Sequence, residues 1–142
     1  MPAEGLSMLR PASFGPPRGT YSPGVLAEAP GRILYVAGQT ASDSEGRIVS
    51  DDFTAQTRRV FENIGAVLAE AGMDFGNVVK LNYYLVNADH MPELVTLREE
   101  LWPVLFPDGA FPAATLCVVS RLGRAEVLVE IEAIAVDCTP AR

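Results

Sequence analysis

Hydrophobic and polar residues alternate along several stretches of the chain, which is the period of a β-strand. The clearest stretch is 78–86, where every second residue is apolar. Residues 127–136 repeat this pattern, and further strands are predicted at 25–28, 32–37, 47–49 and 113–122. Only the turn at Pro30-Gly31 separates the first two of these, so we expect them to pair as a hairpin.

Two other stretches have helical periodicity. Asp51 or Asp52 can act as an N-cap, and apolar residues then recur every three or four positions as far as Gly72. A second helix is predicted from Pro92, with its inner side formed by Leu94, Leu97, Leu101 and Trp102. The order β-β-(β)-α-β-α-β-β predicts one α+β domain over residues 1–142, with residues 1–20, rich in proline and glycine, as an irregular arm.

Two helices can cover only one face of the predicted sheet. In the last strand one parity is apolar throughout and suits packing under the helices. The other parity is mixed, because it carries Glu130 and Glu132 between apolar residues. A face of this kind needs another partner, and self-association is the simplest one.

Charge and composition narrow the function. The net charge is −7 among 142 residues, so we expect no nucleic-acid partner, because such binding depends on Lys and Arg. No apolar run is long enough for a bilayer, and the first residues lack the apolar centre of a signal peptide. We therefore expect a cytoplasmic protein with no membrane partner. Cys117 and Cys138 have no metal-binding or disulfide spacing, so no metal site is expected.

Short motifs spread from Gly19 to Val136 resemble, in their order and spacing, the Rid (reactive intermediate deaminase, RidA-like) family. They include Gly19-Thr20-Tyr21-Ser22, Val36-Ala37-Gly38-Gln39, Asn63-Ile64, Pro112-Ala113 and Arg121-Leu122. The resemblance implies a chorismate mutase-like fold, in which a mixed six-stranded sheet carries two helices on one face and three chains form a homotrimer. It also implies hydrolysis of small imines and enamines, such as 2-aminoacrylate, in clefts between subunits, without a cofactor.

The resemblance also implies which residues form the site. Glu130 matches the glutamate that positions water, and the residues implied for substrate binding are Tyr21, Gly38, Gln39, Ala114 and Thr115. Ala114 is a departure, because deaminating members carry at this position an arginine that binds the substrate carboxylate. Ala37 and Val95 depart in the same way from a serine and an asparagine.

Several residues have two interpretations. Glu130 is either a proton acceptor or one half of an ion pair across a subunit boundary, and the ion pair is favoured for Glu132. Tyr21 either stacks on a ligand or packs internally. Arg98 or Arg121 could replace the arginine missing at position 114, although nothing in the sequence requires it.

Three functions therefore stay open. The first is a hydrolase of C=N compounds with an altered substrate preference. The second is a non-catalytic trimer that binds a small ligand or acts as a regulator. The third is a ribonuclease, which the negative charge and the single unclustered histidine, His90, disfavour.

Overall fold

The computed structural model describes residues 3–17, 19–29 and 31–139. It confirms an α+β fold with two helices and mixed sheets. The helices are α1 (Phe53–Glu70) and α2 (Met91–Leu105). The strands are β1 (Leu6–Leu9), β2 (Gly24–Ala27), β3 (Arg32–Gln39), β4 (Val78–Leu85), β5 (Ala113–Val118) and β6 (Val129–Asp137).

The six strands are divided between two sheets. The main sheet has the order β3-β6-β4-β5, and β1 and β2 form a separate pair. Strands β4 and β5 are parallel, and α2 is the crossover between them. Strand β6 is antiparallel to both of its neighbours. The edge strands of the main sheet are therefore β3 and β5.

The predicted irregular arm is wrong at residues 6–9, and the predicted hairpin is wrong. Residues 6–9 of the arm form β1, and Leu6 lies opposite Ala27 while Leu9 lies opposite Gly24. Strand β2 is thus paired with β1, and β3 pairs instead with β6. Leu6 is buried, and burial of its side chain favours this long-range pairing over the local turn.

The two helices begin and pack as their sequence patterns indicate. Asp52 caps α1 by accepting a hydrogen bond from the Ala55 backbone nitrogen at 2.8 Å. Past the end of α1, Gly72 has a φ of 69°, which glycine adopts without strain. Neither α1 nor α2, in the described part of the chain, combines the length and the hydropathy of a membrane span.

The main sheet has one covered face and one open face. Under the helices, β6 contributes the buried side chains of Val129, Ile131, Ala133 and Ala135. On the opposite face, Tyr35 is 73% exposed and Ile33 is 49% exposed. No described element covers this face. The expectation of a face without intramolecular cover is thus confirmed for the described residues.

Candidate functional site

Polar side chains from three neighbouring strands share the open face of the main sheet. Tyr84 of β4 lies between Glu130 of β6 and Cys117 of β5. In the next row, Asn82 lies between Glu132 and Thr115. The alternation of each strand brings these side chains to one side because successive residues point to opposite faces.

Glu132 is held by two hydrogen bonds within this face. Its Oε1 atom accepts a bond from the Asn82 side-chain nitrogen at 2.9 Å and another from the Tyr84 hydroxyl at 2.8 Å. The bond to Glu132 raises the pKa of Tyr84, because the hydroxyl proton is shared with a carboxylate. These contacts fix Glu132 within its own chain. The predicted ion pair of Glu132 across a subunit boundary stays untested.

Glu130 has a different environment. Among the described residues it makes no hydrogen bond and no ion pair, and its side chain lies against Gly38 at the end of β3. A Cβ atom at position 38 would clash with Oε1 of Glu130 and lie 2.9 Å from its Cδ. Any other residue would therefore force the Glu130 side chain to shift, so Gly38 and Glu130 form a matched pair.

Gln39 follows directly, after an irregularity in the pairing of β3 with β6. The register shifts between Val36 and Gln39, as in a β-bulge, so that Gln39 lies opposite Ile131. The Gln39 side-chain nitrogen donates to the Ala37 carbonyl at 3.1 Å. The bulge therefore reshapes the strand end next to Glu130.

Ala114 and Thr115 project from opposite faces of β5. Thr115 is on the open face, where its Oγ1 atom lies 2.7 Å from the Lys80 ammonium nitrogen. Ala114 is on the other face and packs against the hydrophobic core together with Leu116. A longer side chain at position 114 would therefore extend along the helix side of this edge strand.

Tyr21 lies near the beginning of β5. The Ser22 backbone nitrogen donates to the Pro112 carbonyl at 3.1 Å, and the Trp102 indole nitrogen donates to the Thr20 carbonyl at 3.1 Å. These bonds hold the backbone on both sides of Tyr21, whose side chain is 42% exposed. Tyr21 thus belongs to the Ala114 end of β5.

The site residues implied by the resemblance therefore form two groups within one chain. Gly38, Thr115 and Glu130 belong to the open face, with Gln39 next to Gly38 at the end of β3, while Tyr21 and Ala114 lie near the start of β5. Strand β4 separates Glu130 from β5, which is a distance of roughly 10 Å across two strand spacings. One chain does not bring these groups around a common small ligand.

Comparison with known proteins places the chain in a family. A family model described as Endoribonuclease L-PSP matches residues 13–137. A RutC family protein of Pyrococcus abyssi is 39% identical over 84% of this chain and 87% of its own. The 2-iminobutanoate/2-iminopropanoate deaminase of Mus musculus is 35% identical over 89% and 85%. The crystal structure of YyfB of Yersinia pestis, titled a conserved Rid family protein, has 30% identity and a TM-score of 0.81, covering 93% and 98%.

The chain belongs to the Rid family. Within this Rid-family chain, both arginines considered as substitutes for position 114 have contacts of their own. Arg121 lies beyond the end of β5, which is shorter than predicted, and donates to the carbonyls of Leu122 and Gly123. Arg98 of α2 lies over the Tyr83 ring, with its guanidinium carbon 5.2 Å from the ring centroid.

Arg98 and Tyr83 form an unusual buried contact under α2. The Nε atom of Arg98 and the hydroxyl of Tyr83 are buried, and neither meets hydrogen-bond geometry with a described residue. Burial raises the pKa of Tyr83 to about 12, although the nearby Arg98 charge offsets part of the rise. The guanidinium thus lies over the aromatic face of Tyr83, in a cation–π arrangement.

Tyr83→Phe should remove a pH dependence of stability. The pKa of Tyr83 is raised above its ordinary value of 10.0, so its contribution is present below pH 10 and is lost between pH 10 and about 12. At neutral pH the free energy of unfolding of the variant should lie within about 1 kcal/mol of the wild-type value, because the hydroxyl meets hydrogen-bond geometry with no described residue. Urea unfolding from pH 8 to 12 tests this. If the free energy of unfolding of the variant falls above pH 10 as much as that of the wild type, the prediction is contradicted.

Polar residues of β4 were missed by the sequence reasoning. Only the apolar parity of residues 78–86 was used, whereas Lys80, Asn82 and Tyr84 form the opposite parity and reach the open face. The alternation itself was the available signal.

His90 lies elsewhere, stacked on Phe53 with ring centroids 4.4 Å apart. The described residues contain no cluster of three or more His, Cys, Asp or Glu that could hold a metal ion.

Proposed function

We propose that this Rid-family chain hydrolyses small imines, enamines or related C=N compounds in clefts between subunits. Glu130 acts there as the proton acceptor, and Ala114 gives a substrate preference different from that of arginine-bearing relatives. The single observation that carries the proposal is the carboxylate of Glu130, which has no hydrogen bond or ion pair among the described residues and lies against Gly38 on the open face. A relative that is 35% identical is named a 2-iminobutanoate/2-iminopropanoate deaminase.

An unpaired carboxylate suits this hydrolysis. Water adds to the carbon of the C=N bond and loses a proton to Glu130, which passes that proton to the nitrogen. In the resulting carbinolamine, Glu130 takes the hydroxyl proton and returns it to the nitrogen as the C–N bond breaks. Ammonia and a carbonyl product form, and Glu130 is again a carboxylate. The overall reaction consumes one water per imine and transfers no electrons. Glu132 is less suited to this role because Asn82 and Tyr84 already occupy its carboxylate.

The open face supports the proposal that the chain works as a homotrimer. Ile33 and Tyr35 leave an apolar area exposed beside the polar rows. A second copy would cover this area and could bring its own Tyr21 and Ala114 towards Glu130. The two groups of site residues, which one chain keeps apart, would then line one cleft.

The lack of a cation at position 114 predicts weak activity on short imino acids. An L-amino acid oxidase can generate 2-iminopropanoate from alanine and 2-iminobutanoate from 2-aminobutyrate, and semicarbazide traps the imine that escapes hydrolysis. We expect kcat/KM roughly tenfold to a hundredfold below that of the mouse deaminase, since a charge-assisted hydrogen bond is missing. Imines from leucine and phenylalanine extend the series. No acceleration for any imine would contradict the proposed hydrolysis.

The same assay separates the other hypotheses. A trimer that only binds a ligand would accelerate no imine, and the apolar Ala114 in place of a charged residue is the observation that favours this alternative. The description of the matching family model motivates a ribonuclease test with single-stranded RNA. We expect no cleavage, because a net charge of −7 disfavours phosphate binding.

A further inference from the structure

A cleft at the N-terminal arm brings a cation next to Tyr21. The cleft has a volume of about 430 Å³ and is lined by Arg10, Phe14, Pro16, Tyr21 and Pro23. A second cleft of about 180 Å³ shares Arg10, Tyr21 and Pro23 and continues towards Phe111. The larger volume falls within the range of small-molecule sites, which is about 300 to 1,000 Å³.

The fold fixes the position of this cleft relative to β5. Arg10 follows β1, whose last residue, Leu9, lies opposite Gly24 of β2. This pairing brings Arg10 beside Tyr21 and Pro23. The hydroxyl of Ser22 donates to the carbonyl of Phe111, so the chain next to Tyr21 is bound to the segment that leads into β5. Arg10 therefore reaches the Ala114 end of β5 from the arm.

The charge of Arg10 is available to a ligand. Among the described residues, Arg10 has no ion pair and no hydrogen bond. Five other described arginines are bound to carboxylates, and these are Arg32, Arg47, Arg58, Arg59 and Arg124. In a chain with a net charge of −7, an arginine without an acidic partner beside a cleft favours an anionic ligand.

The walls of the cleft add an apolar requirement. Phe14 is 57% exposed and Tyr21 is 42% exposed, so both can contact a ligand. Pro16 and Pro23 complete an apolar and aromatic lining around the guanidinium. A planar or apolar group that carries a carboxylate matches this combination, because the anion binds Arg10 while the remainder packs on the rings.

We propose that Arg10 binds the carboxylate of an aromatic or large apolar acid, whose hydrophobic part packs against Phe14 and Tyr21. The inference rests on the proposed function in one respect: it takes acids of this kind to be the substrates of the proposed hydrolysis. It names imines of large apolar amino acids, rather than short imino acids, as substrates. The arm supplies the cation through Arg10, because position 114 carries none. The carboxylate of the ligand must therefore extend as far as Arg10.

Equilibrium binding of an unreactive acid tests this directly. Isothermal titration calorimetry should compare 3-phenylpropanoate with its uncharged amide and with propanoate. The wild type should bind 3-phenylpropanoate at least about tenfold more tightly than either of the others. Arg10→Gln should weaken binding of the acid by roughly tenfold to a hundredfold and leave the amide unchanged. Arg10→Lys should retain part of the preference.

Arg58→Gln is the matched control, because it removes an arginine that pairs with Glu100 on the helix surface. It should bind the acid as the wild type does. An acid preference that persists in Arg10→Gln, or no binding of 3-phenylpropanoate at millimolar concentration, would overturn the inference.

Glu130→Gln separates this inference from the proposed function. The variant should keep an Arg10-dependent preference for 3-phenylpropanoate over its amide, because within one chain Arg10 lines the arm cleft whereas Glu130 lies on the open face. Arg10-dependent binding without imine hydrolysis would contradict the proposed function alone. Hydrolysis that depends on Glu130, with an acid preference that ignores Arg10, would contradict the inference alone.

Discussion

Glu130→Gln should lower kcat for imine hydrolysis by about a hundredfold to ten-thousandfold, the usual loss when a general base is removed. The amide is nearly isosteric, so it fits over Gly38, but it cannot accept the proton of the attacking water. Steady-state kinetics with oxidase-generated imines measures the effect. Light scattering and urea unfolding show whether the variant assembles and folds as the wild type does.

Glu132→Gln is the matched control on the same strand face. Glu132 accepts bonds from Asn82 and Tyr84, so its replacement should disturb the face locally and lower kcat much less. A larger loss of kcat in Glu132→Gln than in Glu130→Gln would transfer the proton-accepting role to Glu132. Equal activity of Glu130→Gln and the wild type would exclude Glu130 as the base.

Gln56→Ala should lower the free energy of unfolding by roughly 3 kcal/mol or more, since buried groups lose their partners and a cavity is left. Gln56 is fully buried in α1, and its side-chain nitrogen donates to the carbonyls of Ser50 and Glu126, each at 2.9 Å. Its side-chain oxygen accepts from the Leu128 backbone nitrogen at 2.9 Å. The side chain thus connects α1 to the segment before β6.

Thr57→Val provides the comparison for Gln56→Ala. Thr57 is equally buried, but among the described residues its hydroxyl bonds only to the Phe53 carbonyl one turn earlier in the same helix, at 2.8 Å. Its replacement should cost about 1 kcal/mol or less. Urea unfolding at fixed protein concentration measures both, because association also stabilises the folded state. Similar losses in the two variants would contradict the role given to Gln56.

The sequence was most informative where structure is local and periodic. Both helices and the strands at 78–86 and 127–136 were predicted, since their apolar residues repeat at 3.6 or 2 residues. The arm was mispredicted because β1 is stabilised by pairing with β2 and by burial of Leu6, which local composition does not reveal. The predicted hairpin failed similarly, because β3 pairs with β6 from the far end of the chain.

In the candidate site, too, the local pattern was predictable and the long-range contacts were not. Alternation along β6 was sufficient to place Glu130 and Glu132 on one face, but their different contacts depend on β3 and β4. At position 38 the structure identifies the Glu130 side chain as the group that a Cβ atom would meet. Arg10 could not be connected with Tyr21 from the sequence, because β1–β2 pairing brings them together.

Mixed oligomers of two inactive variants would test whether hydrolysis occurs in clefts shared between subunits. Glu130→Gln and Tyr21→Ala alter the two groups of site residues that one chain keeps apart. Each variant should be inactive alone and have a mass about three times 15.2 kDa by light scattering. Refolded together in equal amounts, they should recover about a quarter of wild-type imine hydrolysis, because random pairing gives that share of intact clefts. No recovery above the separate variants would contradict the shared cleft.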